Sequence, residues 1–448
     1  VTWTPVEPPK AVDPAPFRGS GPFLAKAPPL WVPMRHFAAA AAAFWVFSAA
    51  FFLGSGRFLG FDYSALWVLG LTHTLTLGWL TMTIFGAMCQ LSPVLWETSL
   101  YSPRAASWAF ALFAGGVAGF VGTLWSGSTL YWIPACALVT AVLLYLYVFA
   151  GTMLTAQRLD WTGEHLALSV GYLALLVTLG FLLALDRHRG VIFQDPDGAL
   201  IAHVHLALVG WVSLTIVGVS YRLVSMFALS HVESKTPGRL TLWLVNAGLL
   251  GLAVDALFFR RRLMPLWACL MAAGYLSYAA QMRKIFDARH RKIDPALAFT
   301  LLALCGGLVW VGLGVCLAFG WLPDTQEARL AYVFAALVGW ATPFILGQIH
   351  KIVPFLVWLH VYSPRNWKPP VKVPKIQDLS SERLAWGELC LLAPAIVLGV
   401  AGFLLESSAA LRGAGALLLS SATCYLINTG LTLAHLVRRD PQWTPPNA

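Results

Sequence analysis

Between residues 35 and 438 the chain is a succession of apolar stretches of eighteen or more residues, broken by short polar interruptions. Runs of that length match the ~20 apolar residues with which a helix crosses a bilayer. The pattern predicts twelve helices, over 34–56, 65–96, 105–127, 131–157, 164–186, 199–229, 238–259, 262–284, 295–321, 328–361, 382–405 and 411–437. The second, sixth and tenth exceed what spanning requires and are expected to tilt or protrude. Before them, Pro5, Pro8, Pro9, Pro14 and Pro16 predict an irregular arm over 1–33 rather than a cleavable leader. The expected organisation is that arm, a single transmembrane domain over 34–438, and a tail over 439–448.

Composition narrows the class. The chain is 58% apolar and only 11% charged, under half the ~25% charge of an ordinary soluble domain. Its formal net charge of +10 sits in short loops without interleaved aromatics, a pattern for anionic lipid rather than nucleic acid. With twelve spans both termini share one side. That side collects twenty Lys and Arg, including the 283–292 run and the proline-rich 362–381 loop, against eight opposite. The excess predicts a cytoplasmic-membrane protein with both termini in the cytoplasm. The seven cysteines all fall in apolar segments without a CxxC pair and read as small buried hydrophobes.

A threefold repeat runs through the pattern. The second helix reads His73-Thr-Leu-Thr-Leu-Gly78-Trp79, then Ile84, Gly86 and Gln90; the sixth reads His205-Leu-Ala-Leu-Val-Gly210-Trp211, then Ile216, Gly218 and Arg222; the tenth reads Phe334-Ala-Ala-Leu-Val-Gly339-Trp340, then Ile345, Gly347 and Lys351. The fold class expected is therefore all-α and integral to the membrane, with twelve helices as three pseudo-symmetric four-helix repeats over 34–157, 164–284 and 295–437. Glycine at the repeated places lets helices approach closely. Gln90, Arg222 and Lys351 share one depth, and either snorkel to headgroups or face inward to pair with a carboxylate or bind an anionic group, as in a path for an anion.

Histidine placement supplies the candidate chemistry. His165, His188, His231 and His290 read as interfacial, and His36 and His435 as helix-end residues. His73, His203 and His205 lie within long apolar helices, where an imidazole is costly unless paired or ligated. Inward histidines in a bundle hold haem or a metal; the plainer alternative is hydrogen bonding to Thr72, Thr74 or a carbonyl. His350, beside Lys351, lies sixteen residues past Phe334, about 24 Å along a helix, too far to join His73. Asp255, in the seventh helix, suits a proton path or a place at the interface, and Glu388 lies near the start of the eleventh. No Walker loop, GxSxG, HExxH or dinucleotide fingerprint is present.

The stretches THTLTLGWLTMTIFG, AHVHLALVGW and GQIHKIVPFLVWLH, on this architecture, resemble subunit I of the haem-copper oxidase and nitric oxide reductase superfamily in its divergent single-subunit forms. NnrS-type haem and copper membrane proteins are similar in outline. The resemblance implies haem b on His73, copper on His205 or His203, and Arg412 near the haem propionates. It also implies a redox partner such as a cytochrome or a quinol. The family's seventh-helix His-His pair and tenth-helix His-x-His have no counterpart here. That departure argues against a terminal oxidase, and favours electron transfer or nitric oxide handling. A transporter using Arg222 and Lys351, or a cofactor-free subunit of a respiratory assembly, are the competing expectations.

Overall fold

The computed structural model describes residues 28–60, 62–156, 160–232, 236–362 and 374–437. Most of the proline-rich arm, the 363–373 segment and the tail lie outside the described residues. Among the described residues there is no strand, and twelve long helices account for nearly everything. They are α1 Trp31–Gly54, α2 Leu66–Leu95, α3 Pro103–Trp125, α4 Trp132–Leu154, α5 Trp161–Arg189 and α6 Pro196–Ala228. The second half comprises α7 Thr236–Phe258, α8 Met264–Asp287, α9 Pro295–Ala318, α10 Gln326–Val361, α11 Glu382–Leu404 and α12 Ser408–Ala434. Eleven are long and apolar enough to cross a membrane. The twelfth, α8, has 24 residues but carries Gln281, Arg283, Lys284 and Asp287 in its last two turns.

Every helix end falls within three residues of its expected position. Several starts come earlier than hydropathy alone suggests, because polar caps extend the helices beyond their apolar runs. Ser102, Asp160, Asp195, Asp294, Thr325, Ser381 and Ser407 each accept the backbone N–H three residues on. Such a cap satisfies an orphan donor and is worth about 0.5–2 kcal/mol. Proline at the first position after Ser102, Asp195 and Asp294 adds a preset helical φ.

The three longest helices form the interior. The most apolar windows of α2, α6 and α10 are 72%, 67% and 83% buried, against 22–50% for the other eight apolar spans. They meet in a closed ring of side-chain hydrogen bonds. The Trp79 indole N–H donates to Thr342 Oγ1 at 3.2 Å, Trp340 to Ser213 Oγ at 2.9 Å, and Trp211 to Thr81 Oγ1 at 3.2 Å. Each acceptor stands two residues after its own helix's tryptophan. All three tryptophans are at most 1% exposed, so each indole has its partner where no water is available.

Backbone geometry repeats along with the ring. The segments Thr74–Thr81, Leu206–Ser213 and Ala335–Ala341 are wound as π-helix, directly after His73, His205 and Phe334. A wider turn takes up an extra residue, and so rotates the turns before it relative to the turns after it by about 100°. Past the ring, Gly86, Gly218 and Gly347 admit α1, α5 and α9. A methyl on each would come within 2.7 Å of His36, 2.8 Å of His165 and 2.7 Å of the Ala296 carbonyl, respectively. Gly306 on α9 faces the Gly339 backbone directly, the closest form of helix contact that small residues permit.

These contacts can be tested by substitution. Gly306→Ala meets backbone atoms that cannot step aside, and should lower stability by about 1–3 kcal/mol. Gly312→Ala, facing open space on the same helix, should be neutral or raise stability by up to ~1 kcal/mol; thermal unfolding in detergent compares the two. Trp340→Phe keeps most of the ring area but removes the donor to Ser213, and should cost about 1 kcal/mol in the same assay.

Candidate functional site

The inner helices leave three crevices between them, and side chains treat each differently. Between α2 and α6, walled also by α3, α4 and α5, lies a cavity of about 800 Å³. Between α6 and α10, walled also by α7, α8 and α9, lies a second of about 590 Å³. The third crevice, between α10 and α2, is filled by aromatic rings. Phe334 packs 5.5 Å from Phe51 and 5.8 Å from Phe403, and Phe58 closes the cluster at 4.9 Å from Phe51 and 5.5 Å from Phe403. Phe334 stands where the other two long helices carry histidine, so that crevice is packed shut by the residue at the histidine position.

His73 and His203 both line the larger cavity, whereas His205 lines the smaller one. The structure therefore brings His73 together with His203, not with its repeat-equivalent His205. The His73 Nδ1–H donates to the Leu69 carbonyl at 2.7 Å. Only a protonated nitrogen can donate to a carbonyl, so neutral His73 keeps Nε2 as a bare acceptor. His203 sits against Gly180, where a methyl would lie 2.7 Å from its Cε1. Its ring bonds the Leu176 backbone, and its Nδ1 is buried against Gly180. Across α6, His205 is fixed as His73 is, Nδ1 to the Ile201 carbonyl at 2.8 Å, and its Nε2 meets the Tyr332 hydroxyl at 3.0 Å.

A charged cluster lies at the mouth of both cavities, where Tyr63 and Asp197 line the two together. Asp197 accepts from Tyr63 at 2.9 Å, from Arg261 at 2.6 Å and from Arg329 at 2.7 Å, and Arg329 also pairs with Asp324 at 2.7 Å. The Tyr63 hydroxyl is pushed above its usual range, first by burial and then by the Asp197 carboxylate. The hydrogen bond from Arg329 holds Asp324 below the usual aspartate range.

The remaining expected residues are scattered. Asp255 is 2% exposed and accepts the backbone N–H groups of Arg262 and Leu263. It anchors the turn in which Arg260 and Arg261 adopt positive φ, which is a structural task at a helix end. Lys351 pairs with Asp294 at 2.5 Å, Arg222 is exposed, and Gln90 is buried; they do not converge on one path. Arg412 lies in the first turns of α12 beside Gly56 and lines neither cavity. His350 donates to, or accepts from, fully buried Glu388 at 2.9 Å. His36 and His165, expected at helix ends or the interface, are fully buried. Each bonds an i−4 carbonyl through Nδ1, and His36 also meets the Tyr145 hydroxyl. No group of three or more His, Cys, Asp or Glu with metal-holding geometry occurs among the described residues.

The fold and its cavities define an all-helical, multi-pass membrane protein whose outer helices contact the lipid bilayer. No protein-family model matches the chain, and no curated protein matches it.

The mouth cluster makes the structure sensitive to acid in a stated direction. Because the folded-state value of Asp324 is depressed, its contribution is present above the unfolded aspartate value and is lost as pH falls through the folded one. Unfolding temperature should therefore drop on acidification below about pH 4, and Asp324→Asn should flatten part of that drop.

Proposed function

We propose that this chain binds haem b in the larger cavity, where His73 and His203 would hold it, and serves electron transfer or the handling of a small gas such as nitric oxide. One observation carries the reading. Two imidazoles, those of His73 and His203, line one largely apolar cavity of about 800 Å³. That volume is within the ~300–1,000 Å³ of ligand pockets. His73 has the arrangement of an iron-ligating histidine, its far nitrogen tied to the Leu69 carbonyl, which fixes the tautomer and raises the basicity of Nε2. His203 lines the same cavity and His205 does not, so the cavity favours His203 over His205 as the partner of His73. A copper ion at His203, the other expectation, would have these same two imidazoles, and no third ligand-type residue is grouped with them among the described residues.

When bound, haem would supply a one-electron couple or a site for a diatomic molecule, tuned by the residues that hold it. The chain's own part is to orient and exclude. Gly180 leaves room for the His203 ring, Phe113 and Phe120 close the apolar wall, and Arg187 stands at the mouth, where an anionic carboxylate would lie.

We also read the twelve helices as three copies of one four-helix unit, with both termini in the cytoplasm. The ring of tryptophan–hydroxyl bonds, the three π-wound segments and the three glycines facing α1, α5 and α9 support the repeat. The twenty-to-eight distribution of Lys and Arg supports the orientation.

Absorption spectroscopy with iron analysis of the purified protein tests the haem reading. The wild type should show a Soret band with about one iron per chain. His73→Ala and His203→Ala should each lose or shift the band, while His205→Ala keeps it. A wild type with neither band nor iron sinks the proposal, in favour of a cofactor-free subunit.

A further inference from the structure

We propose that the smaller cavity holds one acyl chain of an anionic phospholipid, whose phosphate rests on Arg260 and Arg262 at the turn between α7 and α8. The inference stands apart from the haem reading, since it concerns the other cavity and needs no cofactor. Three observations carry it.

The first is the shape of the cavity. Its lining runs along α6 from Asp197 to Val217, and along α7 from Arg261 back to Thr241. Twenty residues of helix rise about 30 Å, the thickness of the hydrocarbon core of a bilayer. A volume of about 590 Å³ drawn out over that depth is a long, narrow slot. Its charged residues, Asp197, Arg261, Asp324 and Arg329, lie at one end, and the walls below them are mostly apolar. The deep polar pair spends its polarity on itself, the Tyr332 hydroxyl meeting His205 Nε2 at 3.0 Å. An apolar chain beside that pair therefore leaves neither group unsatisfied. A compact ligand fills only part of such a slot, whereas an extended chain with a polar end matches both its length and its ends.

The second is access. Met271 and Ala272 of α8 and Val311 and Val315 of α9 line the cavity and stay only half-buried. The most apolar window of α9 is 22% buried, the lowest of the apolar spans, and Leu276 and Leu308 beside the lining residues are exposed. The cavity thus opens sideways between α8 and α9 onto the apolar outer surface of the bundle. A phospholipid can pass one chain through that opening and keep the other against the outer surface, without leaving the bilayer.

The third is charge at the mouth. Buried Asp255 accepts the backbone N–H groups of Arg262 and Leu263, and the turn it anchors holds Arg260 and Arg261 at φ of 54° and 63°. Residues with side chains adopt that conformation only where the surroundings enforce it, and here it displays three consecutive arginines at the level of the mouth. Arg261 turns inward to Asp197 at 2.6 Å and Asp195 at 3.6 Å, and Arg329 pairs with Asp197 and Asp324. Those two arginines and three aspartates leave the inner mouth negative. Arg260 and Arg262 are exposed, form no ion pair among the described residues, and turn the rim as a whole positive. Helix α8 begins two residues after Arg262, so both guanidinium groups stand at the head of the lateral opening. Their planar donors suit a phosphate, and basic residues at a membrane surface favour anionic lipid.

Native mass spectrometry of the purified protein, incubated with equal amounts of phosphatidylglycerol and phosphatidylcholine of the same chains, tests the site. One phosphatidylglycerol per chain should be retained in about tenfold preference. Arg260→Gln with Arg262→Gln should abolish the preference and leave the unfolding temperature unchanged, since both side chains are exposed and unpaired. Arg291→Gln with Lys292→Gln, in the basic run beyond the far end of α8, should leave the preference intact. Ala272→Phe, which fills the opening, should lower retention of both lipids about tenfold or more. A wild type without preference, a preference that survives the Arg260 and Arg262 exchange, or undiminished retention in Ala272→Phe overturns the inference. Palmitate retained as firmly as phosphatidylglycerol overturns it too, in favour of a single-chain amphiphile. Lipid retained as expected by a preparation without a Soret band supports it and counts only against the haem reading.

Discussion

Three indole N–H groups and three hydroxyls, bonded in a closed cycle at the centre of the bundle, set the relation of everything else in this protein. Within a bilayer a buried donor has no water to fall back on, so each of these bonds must be made by another helix. Because the cycle closes, shifting any one of α2, α6 or α10 by a turn breaks two bonds at once. The glycines work with the ring: Gly86, Gly218 and Gly347 bring α1, α5 and α9 against the inner helices just beyond it. The remaining six helices then pack outward, where apolar surface meets lipid and no exact partner is needed.

The ring holds its three helices by their tryptophan level and leaves them apart one turn earlier. That is where the π-wound segments begin, and where crevices exist to be filled or kept open. Phe334 and its three aromatic neighbours fill one. His73 and His205, at the same place in the other two, each tie one nitrogen to their own backbone and turn the other toward a cavity. A single exchange of phenylalanine for histidine therefore distinguishes a packed crevice from a chemically usable one, on an otherwise common frame.

Much of this was legible in the chain. Apolar length located every long helix, since nothing but hydrocarbon explains such runs. The Gly-Trp register marked α2, α6 and α10 as the inner set, and the Phe334 exchange marked the odd crevice. The contacts between residues distant in sequence could not be read. Thr81, Ser213 and Thr342 are unremarkable hydroxyls until a tryptophan 127 to 263 positions away is placed on them. His36 and His165 lie near helix starts, a position that suggests an interface. They are buried because the repeated glycines draw those starts inward. Polar caps likewise moved helix starts outward from the hydropathy edges.

His203 and His205 show why side, rather than depth, was the hidden variable. At 100° per residue, two positions along a helix place side chains about 200° apart, so residues two apart in sequence face opposite ways. Hydropathy sees both as imidazoles in an apolar helix and favours the one with a repeat counterpart. In the fold the two line different cavities. His205, the repeat-equivalent residue, faces away from His73 toward Tyr332, and His203, which has no counterpart in α2 or α10, lines the cavity of His73. The two histidines thus serve different cavities, because α6 is the common wall of both and carries one histidine for each. A helix with a histidine on each face separates two cavities by its own width while tying their positions rigidly together, and the tryptophan ring fixes that wall from one end.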